Sequence, residues 1–330
     1  MLKKINLLLL SSQLLLATSF LISAGGFDVI KHKDHYSFGY NSDKNSTHAF
    51  LSEVLKKKSP NTNAVTMWIT RGWKEFWYAP QDLQKNFIDK GYTPIFIFYW
   101  FGDDISVDYL QKHKQEYFKA LKRFSTYLHK LHGKKIVVLN PEYNMAGVEK
   151  YKDMNQIFLQ SYAILRENPQ TLVGPCVGDF GNYKKIDEPK EWKLFDPSLN
   201  IAAKQADFIA FQEMRAVTRN SKGDIVRTAA RAYHLAKYLH SKYKKPTLLA
   251  YAALSSYGKG GEEVQEKAYQ EFVKYLPKMK KDADLIGFGI FHYFDYPGHV
   301  GYFNAAEEYF GILRKDGSKK PSFYYYNKLH

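Results

Sequence analysis

Thr93-Pro94-Ile95-Phe96-Ile97-Phe98-Tyr99-Trp100 is a run of β-branched and aromatic residues that reads as a strand. Downstream, Tyr117, Leu121, Phe124, Leu128 and Leu131 step by four and three. That spacing lays one apolar stripe along a helix, which Gly133 can terminate. Lys135–Asn140 then supplies a second strand of the same character. Strand, helix and strand in this order form a crossover unit with parallel strands.

The unit repeats outward in both directions. Strand-like runs occupy His35–Tyr40, Ala64–Thr70, Thr93–Trp100, Lys135–Asn140, Thr171–Val177, Asp207–Phe211, Thr247–Leu254 and Leu285–Phe294. They begin every roughly 30 to 40 residues, about what one strand–helix unit of a barrel requires. Helical stripes lie between them: Ile157, Ser161 and Ile164; Ala232, Leu235, Ala236 and Leu239; Val264, Ala268, Phe272 and Leu276. A shorter helix beginning near Pro80 is closed by Gly91. Eight repeats favour closure over an open sheet, and no turn carries a glycine-rich dinucleotide fingerprint. The expectation is an α/β chain forming a single-domain (β/α)8 TIM barrel, with no linker or second domain.

Lys3 and Lys4 precede a mostly apolar run, Leu7–Ile22, and Ser23-Ala24-Gly25-Gly26 offers small residues for cleavage. Residues 1–24 therefore read as an export signal ending at Ala24, and 25–330 as the barrel. A retained membrane anchor is the competing reading. Export implies a secreted, periplasmic or cell-surface protein with no stable membrane span after cleavage. The single cysteine, Cys176, excludes an intramolecular disulfide, and its apolar setting reads as a buried inert thiol.

The formal charge is +15. The lysine runs, however, follow helical patterns and precede strands, as at Lys56-Lys57-Lys58, Lys134-Lys135, Lys244-Lys245 and Lys280-Lys281. There they complement helix dipoles on the face opposite a barrel's active site. No aromatic-interleaved basic stretch suggests nucleic acid.

The segments after the strands are acidic and aromatic instead. Asp43 follows the first, Trp100, Asp103 and Asp104 the third, and Asn140-Pro141-Glu142-Tyr143-Asn144 ends the fourth. Asp179 follows the fifth, Gln212-Glu213-Met214-Arg215 ends the sixth, and His292-Tyr293-Phe294-Asp295 ends the eighth. Carboxylates converging beside aromatic rings are what glycosidic cleavage requires, one to protonate the leaving oxygen and one to act as nucleophile or base. Asn140 and Glu142 share strand parity with Val138, which points both inward. Glu213 is the best second carboxylate, with Asp179 behind it and Arg215 a possible partner. Alternation leaves open whether Gln212 or Glu213 faces inward. Trp100, Asp103, Asp179, Gln212, Tyr251, His292, Tyr293 and Asp295, with Asn140, are the expected carbohydrate-binding residues. His292, Asp295 and His299 could be imagined on zinc, but no HExxH or clustered histidine pattern appears, and neither metal nor cofactor is expected.

On these residues the chain resembles the TIM-barrel glycoside hydrolases, above all the retaining clan with two catalytic glutamates. That resemblance implies Glu142 as acid/base and Asn140 as a binder of the substrate's 2-hydroxyl. The clan's nucleophile ends strand seven, where Leu248–Ser255 contains no acid. Pairing strands four and six, as in barrels resembling the α-galactosidases, gives Glu142 with Glu213. Two alternatives stand beside the hydrolase: a barrel that binds glycan without cleaving it, serving surface-polysaccharide assembly or export, and a metal-dependent hydrolase or deacetylase.

Overall fold

The computed structural model describes residues 19–26, 47–179 and 185–330. Their strands close into a parallel barrel: β1 (Leu21–Ala24), β2 (Ala64–Thr70), β3 (Thr93–Tyr99), β4 (Lys135–Leu139), β5 (Thr171–Gly178), β6 (Ile209–Arg215), β7 (Thr247–Leu254) and β8 (Leu285–Ile290). The principal helices are α1 (Thr47–Lys58), α2 (Pro80–Asn86), α3 (Val107–Leu128), α4 (Met154–Leu165), α5 (Asp196–Leu199), α6 (Lys222–Val226), α7 (Thr228–Tyr243), α8 (Gly261–Ala283) and α9 (Ser322–Tyr326).

Seven of the eight expected strands fall where the sequence places them, within a few residues at each end. The first does not. The barrel takes Leu21–Ala24 as β1, a segment that reads as the tail of an export signal, and His35–Tyr40 lies outside the described residues. β1 pairs with β2 through Ser23↔Ala64 and with β8 through Ile22↔Phe288, so it completes the ring.

Strand alternation divides the apolar residues into two layers. Ala64, Ile95, Ile97, Ile136, Val138, Leu172, Cys176, Ala210 and Leu248 pack together inside the barrel. Val65, Met67, Phe96, Phe98, Val137, Leu139, Val173, Ile209 and Phe211 pack outward under the helices. The lysines fall at the amino-terminal side of the strands, as expected. Lys56, Lys57 and Lys58 occupy the last turn of α1, and Lys280 and Lys281 that of α8. Lys135 goes further: its buried Nζ donates to the carbonyls of Leu131 (3.0 Å) and Gly133 (2.9 Å), satisfying acceptors where α3 ends.

Candidate active site

The carboxyl ends of β2, β3, β4 and β7 converge on Glu142. Its side chain is gripped at both oxygens. The Tyr251 hydroxyl donates a short hydrogen bond to Oε1, and the Tyr99 hydroxyl lies 3.4 Å from Oε2. Tyr99 also donates a short hydrogen bond to Asp103, so one phenol oxygen touches two carboxyl groups. Those carboxyl oxygens are therefore within about 6 Å of each other, twice the reach of a hydrogen bond. Asp103 is exposed on the rim, whereas Glu142 is only partly open to solvent.

Glu142 reaches this position by leaving the strand. β4 ends at Leu139, and Asn140 (φ 47°) and Glu142 (φ 63°) are both left-handed. This region is costly for residues with a Cβ and recurs at functional sites. It also breaks the parity that would have aimed Asn140 and Glu142 the same way. Asn140 is buried and turns its amide to the Tyr117 hydroxyl of α3 at 3.2 Å, leaving its Oδ1 without a partner, while Glu142 meets the mouth tyrosines.

Tyr251 faces Glu142 because of a bulge. Phe211 pairs with Leu249 and Gln212 with Tyr251, so Ala250 is an extra residue between them. Leu248, Ala250, Tyr251 and Ala253 consequently pack with the inner layer, and Leu249, Ala252 and Leu254 with the outer. Without the extra residue, Tyr251 would point into the helices.

Trp68, on β2, packs against these tyrosines. Its ring is 5.1 Å from Tyr251, 5.3 Å from Phe291 and 5.5 Å from Tyr99, centroid to centroid, in tilted or edge-on contacts. It shares parity with Ala64, which places it inside. Trp68 and Tyr99 are the mouth residues that sequence reasoning missed, although counting by two from Ala64 and from Ile97 would have found both. Asn144 follows Glu142 beyond the end of β4. Its amide oxygen occupies the place of a side chain at Gly178, 2.2 Å from where a Cβ would stand.

Burial is the largest influence on Glu142 and pushes its carboxyl up to about 7. The hydrogen bond from Tyr251 opposes this, the charges of Asp103 and Glu307 reinforce it, and Tyr99 opposes it weakly. Glu307 was not anticipated. It lies in a 3-10 segment, Asn304–Tyr309, and is buried. It accepts the backbone N–H of Phe303 at 2.8 Å and pairs with His299 Nε2 at 3.1 Å.

The other expected site residues are distributed as follows. Gln212 faces inward at the level of Tyr251, nearly buried, with an Oε1 that has no partner. Glu213 does not face Glu142. It points outward from β6, with Oε2 accepting from Arg215 at 2.8 Å, inside a buried cluster with Asp179 and Arg231. Burial first, and then Asp179, raises its carboxyl well above the usual range, and Oε1 has no partner. Asp179 belongs to the same cluster, bonded by Arg215, by Arg231 Nε (3.0 Å) and by Trp192 Nε1 (3.1 Å). Burial pushes Asp179 up, but the two guanidiniums outweigh it and hold the carboxyl low.

Trp100 packs outward, with the Arg71 guanidinium 5.1 Å from its ring and Tyr117 at its edge. Tyr293 is buried and its hydroxyl pairs with Ser59 at 2.8 Å. Asp295 is bound by Lys320 at 2.5 Å. Burial raises it to about 6 although Lys320 pulls the other way. His292 stacks on Phe291 and lies 5.1 Å from His299, and burial drives its imidazole well down. Among the described residues no group of three His, Cys, Asp or Glu side chains is arranged to hold a metal ion.

The fold has counterparts among solved structures. A hyperthermophilic β-glucosidase mutant superposes with a TM-score of 0.60 at 13% identity, over 92% of this chain and 98% of that one. This chain shares the (β/α)8 barrel fold of that protein. A Bifidobacterium dentium β-glucuronidase gives 0.61 at 13% identity over 93% of this chain, which spans 46% of that longer protein. A psychrophilic family 10 endo-β-1,4-xylanase gives 0.57 at 10% identity, covering 96% of this chain and 98% of that one. No family model and no curated protein sequence matches the chain.

Proposed function

We propose that this barrel is a glycoside hydrolase acting on a poly- or oligosaccharide, with Glu142 as the proton donor and Asp103 as the second carboxylate. The observation that carries this reading is Glu142 itself, whose carboxyl is raised to about 7 in an aromatic mouth. A carboxylic acid that keeps its proton near neutrality can give it to a leaving glycosidic oxygen. Asp103, on the same tyrosine but exposed at the rim, is the second carboxyl group needed to meet the anomeric carbon or activate water. Two carboxyls in contrasting environments are the usual basis for dividing acid and base roles.

The mouth also suits a sugar. Trp68 offers a half-buried ring, and Gln212 offers an amide whose oxygen awaits a hydroxyl or amide donor. Glu213 and Asp179, sealed in their arginine cluster, contribute to the scaffold. We further propose that the protein works outside the cytoplasm, carried there by its basic and apolar leader. Among the described residues no helix is long and apolar enough to cross a membrane.

One feature favours a second reading, a barrel that binds glycan without cleaving it: strand seven carries no acid from Leu248 to Ser255, where the clan that the chain resembles carries its nucleophile. A panel of polysaccharides and aryl glycosides distinguishes the two. Glu142→Gln and Asp103→Asn should each lower turnover by roughly 10²- to 10⁴-fold. Unchanged turnover in Glu142→Gln rejects the mechanism, and binding with no product from the unsubstituted enzyme supports the second reading.

A further inference from the structure

The end of the apolar leader is a stave of the barrel. Leu21, Ile22, Ser23 and Ala24 are all buried, and they hydrogen-bond to β2 on one side and β8 on the other. Asn63 locks the segment in register: its Oδ1 accepts the N–H of Ile22 at 2.8 Å, and its Nδ2 donates to the carbonyl of Phe20 at 2.9 Å. Ser23 Oγ meets Thr66 Oγ1 at 2.5 Å inside the barrel.

The small residues that look like a cleavage motif have a structural reason instead. A Cβ on Gly25 would stand 2.2 Å from the carbonyl oxygen of Phe291, so only glycine passes there. The Gly25 carbonyl in turn accepts the N–H of Tyr293 at 3.0 Å. A cut after Ala24 would remove β1, open the ring, and leave the facing backbone groups of β2 and β8 unpaired.

We propose that export processing cuts the chain between Ser19 and Phe20, so that the mature protein begins at Phe20 and keeps β1. Ala17 and Ser19 put small residues at the third and first positions before this bond, with Thr18 between them. Leu7–Leu16, apolar but for Ser11, Ser12 and Gln13, supplies a stretch within the usual length of about 7–15 residues, behind Lys3 and Lys4. Exposure changes at the same place: Ser19 is exposed, Phe20 half-buried, and Leu21 onward buried. Hydrolysis of this bond takes up one water, leaving a carboxylate on Ser19 and a free amine on Phe20.

The inference rests on the export reading, and one experiment separates them. The full-length chain is produced in an exporting host, fractionated, and examined by intact mass and N-terminal sequencing. An exported chain beginning at Phe20 is expected. One beginning at Gly25 overturns the assignment but leaves export standing, whereas a cytoplasmic chain with Met1 intact overturns both. Ser19→Trp should abolish processing; continued cleavage giving Gly25 overturns the proposal. As a second measurement, a chain starting at Phe20 should unfold cooperatively and one starting at Gly25 should not. Equal Tm values for the two would also overturn it.

Discussion

Glu142 holds a backbone conformation that glutamate seldom adopts, at the point where two tyrosines can reach its carboxyl. Because burial raises its folded-state carboxyl to about 7 from 4.5, the protonated form is the one the fold favours. The linked stability is fully present below about pH 4.5 and is lost as pH rises through about 7. Glu142→Gln removes this dependence. The variant should gain on the unsubstituted protein between pH 5 and pH 8 by up to about 3 kcal/mol, measured by denaturant unfolding across that range.

Activity should fall along the same limb, as the donor loses its proton. Tyr251→Phe deletes a hydrogen bond that favours the charged form. It should move the alkaline limb of the pH–rate profile upward by about one unit; a downward shift would refute this role. Trp68→Ala should raise KM roughly tenfold or more while leaving that limb in place. At this scale the placement of Glu142 just beyond the end of β4 was legible in the sequence, because the acid follows closely on the strand's apolar run. The divergence of Asn140 from it was not, because parity holds only within a strand and both residues are left-handed.

Among elements, β6 and β7 decide what the mouth contains. Inward-facing Ala210 settles by parity what the isolated heptapeptide leaves open: Gln212 goes in and Glu213 goes out. Tyr251 could not have been assigned the same way, since a one-residue bulge in β7 reverses its face and leaves no compositional mark. Cluster geometry yields contrasting expectations for two scaffold groups. Glu213 points away from the mouth and pairs with Arg215, burial and Asp179 pushing its carboxyl up, so Glu213→Gln preserves its shape and should change turnover little. Arg231 is fully buried and joins Asp179 to Glu191, so Arg231→Met should cost roughly 3 kcal/mol or more in chemical denaturation. A large loss of turnover in Glu213→Gln with stability intact would return that residue to the catalytic machinery.

Across the whole molecule, the barrel was readable because each strand–helix unit repeats the same alternation of periods, and the lysines mark the helix ends. The first stave was not. A short buried strand and the end of an export signal are written in the same small and apolar residues, and only the pairing of Leu21–Ala24 with both neighbours tells them apart. The basic exterior and the acidic mouth occupy opposite ends of this closed ring, and the proposed chemistry depends on a proton kept at one position in that mouth. Its most direct test is the titration of the Glu142 side-chain carboxyl carbon by NMR, assigned by difference from Glu142→Gln. A midpoint near 7 is predicted; a midpoint near 4.5 would contradict the proposed proton donor.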